Sequence, residues 1–334
     1  RNGVSMKIVV LKGGISSERE ISLFSGDNIA KTLEENGHDV ICLDTILPLE
    51  QVEHRIDPTP NLFENGESNL VELLSYPDVQ SAGFIFNALH GGSGENGVVS
   101  GILETMGFKF NGSGVEGCAI AMDKVVSKVL FEKYKIPTPE WQHFNRVEII
   151  ENGKIIEKIL DTFDFPIVIK PAHEGSTVGL SIVSDGKELN PAIDKALKYN
   201  NELIVEKYIK GRELTVAILE DSALPIIEII PKHGIYDYEC KYTSGMSEYQ
   251  VPAKIESKLT QRIQELSVVA FKILKCYGYG RADLRLGEDG IPYFLEMNAM
   301  PGMTAISLVP KAAKAIGISF GDLLGKIIEL GIER

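Results

Sequence analysis

Residues 7–11 (Lys-Ile-Val-Val-Leu) form a strand-length apolar run that stops at Gly13-Gly14. A helical period follows over about 21–36, closed by Gly37, and 40–43 is a second short apolar run. Strand, helix, strand in that order predicts an open parallel sheet, because parallel neighbours need a long crossover between them. Residues 83–89 read as a further buried strand. It runs into the glycine-rich stretch 90–97 (His-Gly-Gly-Ser-Gly-Glu-Asn-Gly) and then a helix near 98–106. Between these strands, residues 48–69 are polar, carry Pro48, Pro58 and Pro60, and read as a connecting excursion with one short helix.

A chain of 334 residues suffices for about two domains, or three small ones. Composition turns to glycine and serine over 111–117, which sets a boundary there. Beyond it a helix is expected over 123–134, then the breaker Pro137-Thr138-Pro139, then a strand over 166–171 that delivers Lys170 at its end. A helix over 190–199 and strands over 203–207, 214–219 and 225–230 follow. Residues 233–252 form a polar loop of a length that usually serves a purpose, often as a lid. Leu259, Ile263, Leu266, Ala270 and Ile273 share one helix face. Residues 281–286 and 291–297 form a hairpin around Gly287-Glu288-Asp289-Gly290, and two helices follow near 307–315 and 319–330.

Hydrophobic residues make up 44% and charged residues 24%, which excludes a disordered, collagen-like or coiled-coil chain. The net charge of −13 argues against coating nucleic acid, whereas a small anionic ligand in a locally basic pocket stays open. Cys42, Cys118, Cys240 and Cys276 lie far apart, as expected of buried thiols in a reducing compartment. No apolar run approaches the ~20 residues of a membrane helix, and no signal-peptide stretch is present, so a cytoplasmic location is expected. There is no GxxxxGK[ST] loop, HExxH or GxSxG, and Gly13-Gly14 after the first strand is not GxGxxG, so phosphate chemistry must use another arrangement.

Several residues could supply it. Period-two alternation puts Arg281 and Asp283 on one face of their strand, and Glu296 and Asn298 on one face of theirs. If the hairpin pairs them, three oxygen ligands converge on a hard cation; a surface salt-bridge ladder fits the same residues. Lys170 at a strand's end and Lys124 at a helix start suit phosphate as point charges, though most lysines are solvated surface. The segment 174–179 (Glu-Gly-Ser-Thr-Val-Gly) offers amides and hydroxyls that could close over anionic oxygens, or makes an ordinary turn. The stretch from Glu206 to Glu213 could read an adenine and a ribose, or end a strand in exposed ion pairs. Glu18 and His90 follow strand ends, where parallel sheets place ligands. Residues 301–308 (Pro-Gly-Met-Thr-Ala-Ile-Ser-Leu) lead into a helix start that could hold a carboxylate, or Ser307 simply caps the helix.

Taken together, these motifs resemble the ATP-grasp superfamily and, within it, the D-alanine–D-alanine ligase family, from about residue 7 to 330. The carriers are Leu11-Lys12-Gly13-Gly14 with Ser17-Glu18-Arg19-Glu20, Ala88-Leu89-His90-Gly91, Met122-Asp123-Lys124, and Ile169-Lys170-Pro171 with Glu174-Gly175-Ser176. Tyr236-Asp237-Tyr238-Glu239-Cys240-Lys241-Tyr242, Gly280-Arg281-Ala282-Asp283, Glu296-Met297-Asn298 and Pro301-Gly302-Met303-Thr304 complete them.

The resemblance implies an α/β ATP-grasp fold of three domains, here 1–112, 113–206 and 207–334, with ATP held between the central and C-terminal domains. It implies that ATP phosphorylates the carboxylate of one D-alanine and that the amine of a second attacks the acyl phosphate, giving a peptidoglycan precursor. Asp283, Glu296 and Asn298 would hold two Mg²⁺ ions, with Mn²⁺ as a substitute. Lys124, Lys170 and Lys241 would contact phosphates; Glu206 and Ile209 the adenine; Glu213 the ribose; Lys207 is a further ATP-binding residue. Arg281 and the N–H of Gly302 would stabilise the oxyanion. Glu18, with His90 nearby, would take the first D-alanine; Ser307 and the N–H of Leu308 the carboxylate of the second. Tyr242, Ser176 and Glu18 would link a lid loop to the site, and Tyr242 favours the dipeptide over a D-lactate product. A homodimer through the first domain is implied. The competing readings are another ATP-grasp carboxylate–amine ligase and a non-catalytic nucleotide-binding regulator.

Overall fold

A computed structural model describes residues 5–52, 68–152, 155–232 and 246–334. Strands β1 (Lys7–Lys12), β2 (Asp39–Asp44) and β3 (Phe84–Asn87) form a parallel sheet in the order β2-β1-β3. β1 lies in the middle and is covered on both faces, which is why its apolar run does not alternate. Ile8 and Val10 enter a core with Ile29 and Leu33 of helix Arg19–Glu35 and with the helices Leu308–Ala315 and Phe320–Glu333. Val9 and Leu11 enter a second core with Leu73 and Leu103.

The second sheet is antiparallel. It comprises β4 (Trp141–Asn145), β5 (Ile167–Pro171), β6 (Ser181–Val183) and β7 (Glu202–Lys207) in the order β4-β7-β5-β6. Ile167, Ile169, Leu203 and Val205 pack beneath the helices Ile155–Thr162 and Leu189–Ala196. Alternation then sends Val168, Lys170 and Glu206 to the opposite face.

The third sheet holds β8 (Gly211–Leu219), β9 (Ser222–Ala223), β10 (Ile227–Pro231), β11 (Ser247–Gln250), β12 (Tyr279–Gly287) and β13 (Pro292–Asn298). Its order is β11-β10-β8-β12-β13, with β9 beside β8. Leu214, Val216, Ala282 and Leu284 form one buried face against helix Ser257–Ile273 and against Cys118 and Phe131 of the helices Val115–Met122 and Lys124–Lys133. Glu213, Thr215, Arg281, Asp283 and Arg285 alternate onto the other face, in register across β8 and β12.

The structure departs from the sequence expectation in three places. Residues 247–250, expected inside a loop, are a strand paired with β10. The rest of that loop through 245, with Lys241 and Tyr242, lies outside the described residues, as do residues 53–67 of the excursion. β4 escaped notice because Trp-Gln-His-Phe-Asn buries only Phe144 and shows no apolar alternation. In the hairpin, Asp283 faces Glu296 while Leu284 faces Phe294, so Leu295 is an extra residue in a bulge. The bulge lets Phe294 and Met297 both enter the core while Glu296 and Asn298 keep the polar face.

Cys118 and Cys276 are buried, and burial pushes their thiols up to about 11 and about 12, which leaves them unreactive. Cys240 lies outside the described residues. No helix among the described residues is long and apolar enough to cross a membrane.

The helix Val115–Met122 approaches the third sheet's surroundings closely at Gly117, where an added Cβ would lie 2.3 Å from the Lys275 carbonyl oxygen. Gly117→Ala is expected to lower stability by about 1–3 kcal/mol, read from the urea midpoint. An unchanged midpoint would contradict the packing.

Candidate functional site

The polar faces of the second and third sheets meet across a cleft lined by Val168, Lys170 and Glu206 on one side and Glu213, Asp283 and Glu296 on the other. A second pocket lies between the first and third sheets. Glu18, His90, Ser176, Arg281, Gly302 and Ser307 line it. Gly175 lines both, and Arg281 and Asn298 stand one alternation step from Asp283 and Glu296, so the two spaces adjoin.

The hairpin assembles its polar residues by register: Arg281 faces Asn298 and Asp283 faces Glu296. The Arg281 guanidinium grips Asp283 with both ends, Nε to Oδ1 at 2.9 Å and Nη2 to Oδ2 at 2.7 Å. Asn298 Nδ2 donates to Asp283 Oδ2 at 2.9 Å, and Thr215 Oγ1 donates to Oδ1 at 2.6 Å. The ion-pair ladder and the convergence of oxygens are therefore one arrangement.

Lys124 ties this hairpin to the second sheet. Asp123 caps its helix, accepting from the N–H groups of Val125 at 2.9 Å and Val126 at 3.0 Å. Lys124 Nζ donates to the Glu174 carbonyl at 2.6 Å and lies 3.0 Å from Glu296 Oε2. Its N–H bonds to the Ala172 carbonyl at 3.1 Å, just past β5.

Glu206 is 2% exposed, so its carboxylate is not the exposed strand end that sequence allowed. Lys170 Nζ and Lys128 Nζ lie 2.8 and 3.1 Å from the same oxygen, Oε1. Burial pushes the Glu206 carboxyl up, but the two ammoniums outweigh it and hold the group below its usual range. Lys207 has an exposed side chain and spends its N–H on the Glu140 carbonyl at 2.9 Å. Arg285 pins the following connection. Its Nε and Nη2 donate to the carbonyls of Ile209 at 2.7 Å and Gly211 at 2.8 Å, and Nη1 reaches Glu213 Oε2 at 3.2 Å.

In the second pocket, the loop carrying Glu18 is held by Ser22, whose hydroxyl accepts from Gly13 N–H at 2.9 Å and donates to the Ala88 carbonyl at 2.8 Å. Ser176 donates to the Glu18 carboxylate. Ser176 and Thr177 both adopt left-handed backbone, φ 47° and 63°, which is unfavourable outside glycine. Two consecutive residues of this kind lie where the segment borders the cleft, held there by the surrounding structure. The His90 ring is gripped from both sides, Nε2 by Ser25 Oγ at 2.9 Å and Nδ1 3.6 Å from Glu95 Oε1.

Ser307 precedes helix Leu308–Ala315 but makes no side-chain cap. Its hydroxyl turns back instead, accepting from Thr304 N–H at 3.0 Å and sharing a 2.8 Å hydrogen bond with Thr304 Oγ1. This corrects the capping alternative and leaves the helix start facing the pocket that Gly302 and Leu308 line. Lys241 and Tyr242 lie outside the described residues.

Sequence reasoning missed Lys128, Thr215 and Arg285. Lys128 and Lys124 are one helical turn apart, and Arg285 continues the alternation of Arg281 and Asp283, so both left a trace. Thr215 left none, because its partner comes from register 68 positions away.

Family models described as D-ala D-ala ligase N-terminus and D-ala D-ala ligase C-terminus match residues 7–113 and 130–329. The D-alanine–D-alanine ligase of Carboxydothermus hydrogenoformans is 40% identical over 332 residues, covering 98% of this chain and 99% of that protein. That of Aquifex aeolicus is 40% identical over 97% of this chain and 100% of its own length. Among solved structures, D-alanine–D-alanine ligase from Bacillus anthracis complexed with ATP superposes with a TM-score of 0.78 at 31% identity, over 98% of each chain. VanG D-Ala:D-Ser ligase from Enterococcus faecalis does so with 0.79 at 29% identity, over 98% of this chain and 99% of that one.

The Thr215–Asp283 bond predicts that Thr215→Val, nearly isosteric, lowers stability by about 1–2 kcal/mol in urea unfolding. A wild-type midpoint would mean that Asp283 does not depend on that hydroxyl.

Proposed function

The chain belongs to the D-alanine–D-alanine ligase family, and on that premise we propose that it condenses two D-alanine molecules at the expense of ATP, for peptidoglycan precursor synthesis. The supporting observation is the adjoining of the two pockets at Arg281 and Asn298: a phosphate-suited cleft opens directly onto a space suited to two amino acids.

A carboxylate is a poor acyl donor because its leaving group would be an oxide. Transfer of the γ-phosphoryl group makes phosphate the leaving group. ATP lies in the cleft between the second and third sheets, with its phosphates toward Lys124 and Lys170, and Lys241 as a further contact. Glu206, Lys207 and Ile209 border the adenine, and Glu213 the ribose.

The donor set at the hairpin suits magnesium, or manganese in its place. Asp283, Glu296 and Asn298 present carboxylate and amide oxygens from one paired hairpin, and among the described residues no group of three His, Cys, Asp or Glu is placed to hold a metal ion. These three residues would hold two ions, which when bound offset the negative charge shared by adjacent phosphates.

Glu18, buried and accepting from Ser176, receives the ammonium of the first D-alanine, with His90 beside it. The helix start at Leu308, left open by the turned Ser307, receives the carboxylate of the second. Its neutral amine attacks the acyl phosphate carbon, the carbonyl oxygen takes up negative charge, and phosphate departs as the C–O bond breaks, carrying away the proton that the nitrogen sheds. Arg281 and the N–H of Gly302 stand at the junction to stabilise that oxyanion. Ser176, Glu18 and Tyr242 join the covering segments to the site, which keeps water from the acyl phosphate. The reading includes a cytoplasmic homodimer, which sedimentation of the purified chain checks.

Phosphate release from ATP is expected with D-alanine and not with L-alanine; D-serine and D-lactate as second substrates define the acceptor. Absence of D-alanine-dependent turnover would sink the reading. Glu296→Gln should lose turnover by at least about 100-fold while the protein stays folded, because it removes a carboxylate that both Lys124 and a cation need. Wild-type turnover in that variant would overturn the role of Glu296.

A further inference from the structure

Lys128 is fully buried, does not line the cleft, and is used by no step above. A buried ammonium is costly unless something repays its lost hydration. Here Glu206 Oε1 lies 3.1 Å away, and Lys128 Nζ also donates to Thr138 Oγ1 at 2.6 Å. The Thr138 hydroxyl in turn donates to the Phe294 carbonyl at 2.9 Å, two residues before Glu296. Lys128 thus fixes Glu206 of the second sheet to the hairpin of the third.

Charge gives this placement a purpose. Lys170 alone with Glu206 would be a neutral pair, with nothing left for an anionic ligand. Two ammoniums on one carboxylate leave one net positive charge, and Lys170 is the member that lines the cleft. Resting on the ATP-dependent reading, we propose that Lys128 is a positioning residue of the nucleotide site: by sharing Glu206 it lets Lys170 stay fixed and still present an uncompensated charge to a phosphate of ATP.

The titration of the cluster points the same way. Burial lowers the Lys128 ammonium to about 8, with Glu206 opposing that shift and Lys170 adding to it; Glu132 on its own helix is a weaker support. Loss of that proton leaves Glu206 and Lys170 mutually neutralised, so nucleotide affinity falls as pH rises through this range.

The test uses the full chain, with a non-hydrolysable ATP analogue and Mg²⁺ in calorimetry and with ATP in turnover. Lys128→Met is expected to weaken nucleotide binding and raise KM for ATP by about tenfold, with kcat within about twofold. In a Glu206→Gln background, which itself alters the adenine border and serves as the reference, Lys128→Met should change affinity by no more than about twofold, because no carboxylate is left to share. A loss as large in that background as in the wild type would show a merely structural role and overturn the proposal, as would an unchanged Lys128→Met. The wild type should lose affinity between pH 7 and 9 and the variant should not; identical profiles would also overturn it. Lys128→Gln replaces the methionine variant in each comparison if that one does not fold. Analogue binding needs no D-alanine, so a wild type that binds nucleotide without turnover would fail the functional reading and leave the Lys128 test intact.

Discussion

The second and third sheets each turn one face into a core, and period-two alternation sets the polar residues of the cleft on the other; farther along the third sheet that other face carries Ala217, Ile227 and Ile229 into the first core. On β5 and β7 the apolar set is Ile167, Ile169, Leu203 and Val205; on β8 and β12 it is Leu214, Val216, Ala282 and Leu284. Lys170, Glu206 and Asp283 then have one direction left to point, toward each other across the cleft. The site is a consequence of burying the two cores, and a one-residue slip in either sheet would reverse it.

The charges so gathered hold one another. Asp283 accepts from Arg281, Asn298 and Thr215; Glu296 meets Lys124; Glu206 meets Lys128 and Lys170. Such preorganisation means that little has to move when phosphate charge develops. The strain accepted at Ser176 and Thr177 belongs with this network, since that segment brings a hydroxyl onto Glu18 of the first sheet's loop. In this way three sheets contribute to one reaction space.

What could be read in advance followed the range of the interactions. The pairing of Arg281 and Asp283 with Glu296 and Asn298 was legible because a four-residue turn joins the two strands and alternation does the rest. The bulge at Leu295 was not, because it answers the demand of Phe294 and Met297 for the same core. Ser307 was legible as a helix start, but the turn of its hydroxyl toward Thr304 depends on the loop's own fold. Lys128 looks in sequence like any solvated lysine; its burial needs the second sheet to be laid over its helix.

The order of apolar runs, the glycine punctuation and the spacing of charged residues determined by themselves an α/β chain, a hairpin that gathers Arg281, Asp283, Glu296 and Asn298, and the family resemblance of its motifs. These are local matters, set by backbone preference and by which residues can share a face. Only the tertiary structure decided which charges lose their water and which partners they then take. Desolvation is a property of the packed molecule: the same lysine is a free surface cation or half of a buried ion pair according to what covers it, and here the carboxylate that Lys128 meets comes from a strand more than seventy residues further along the chain.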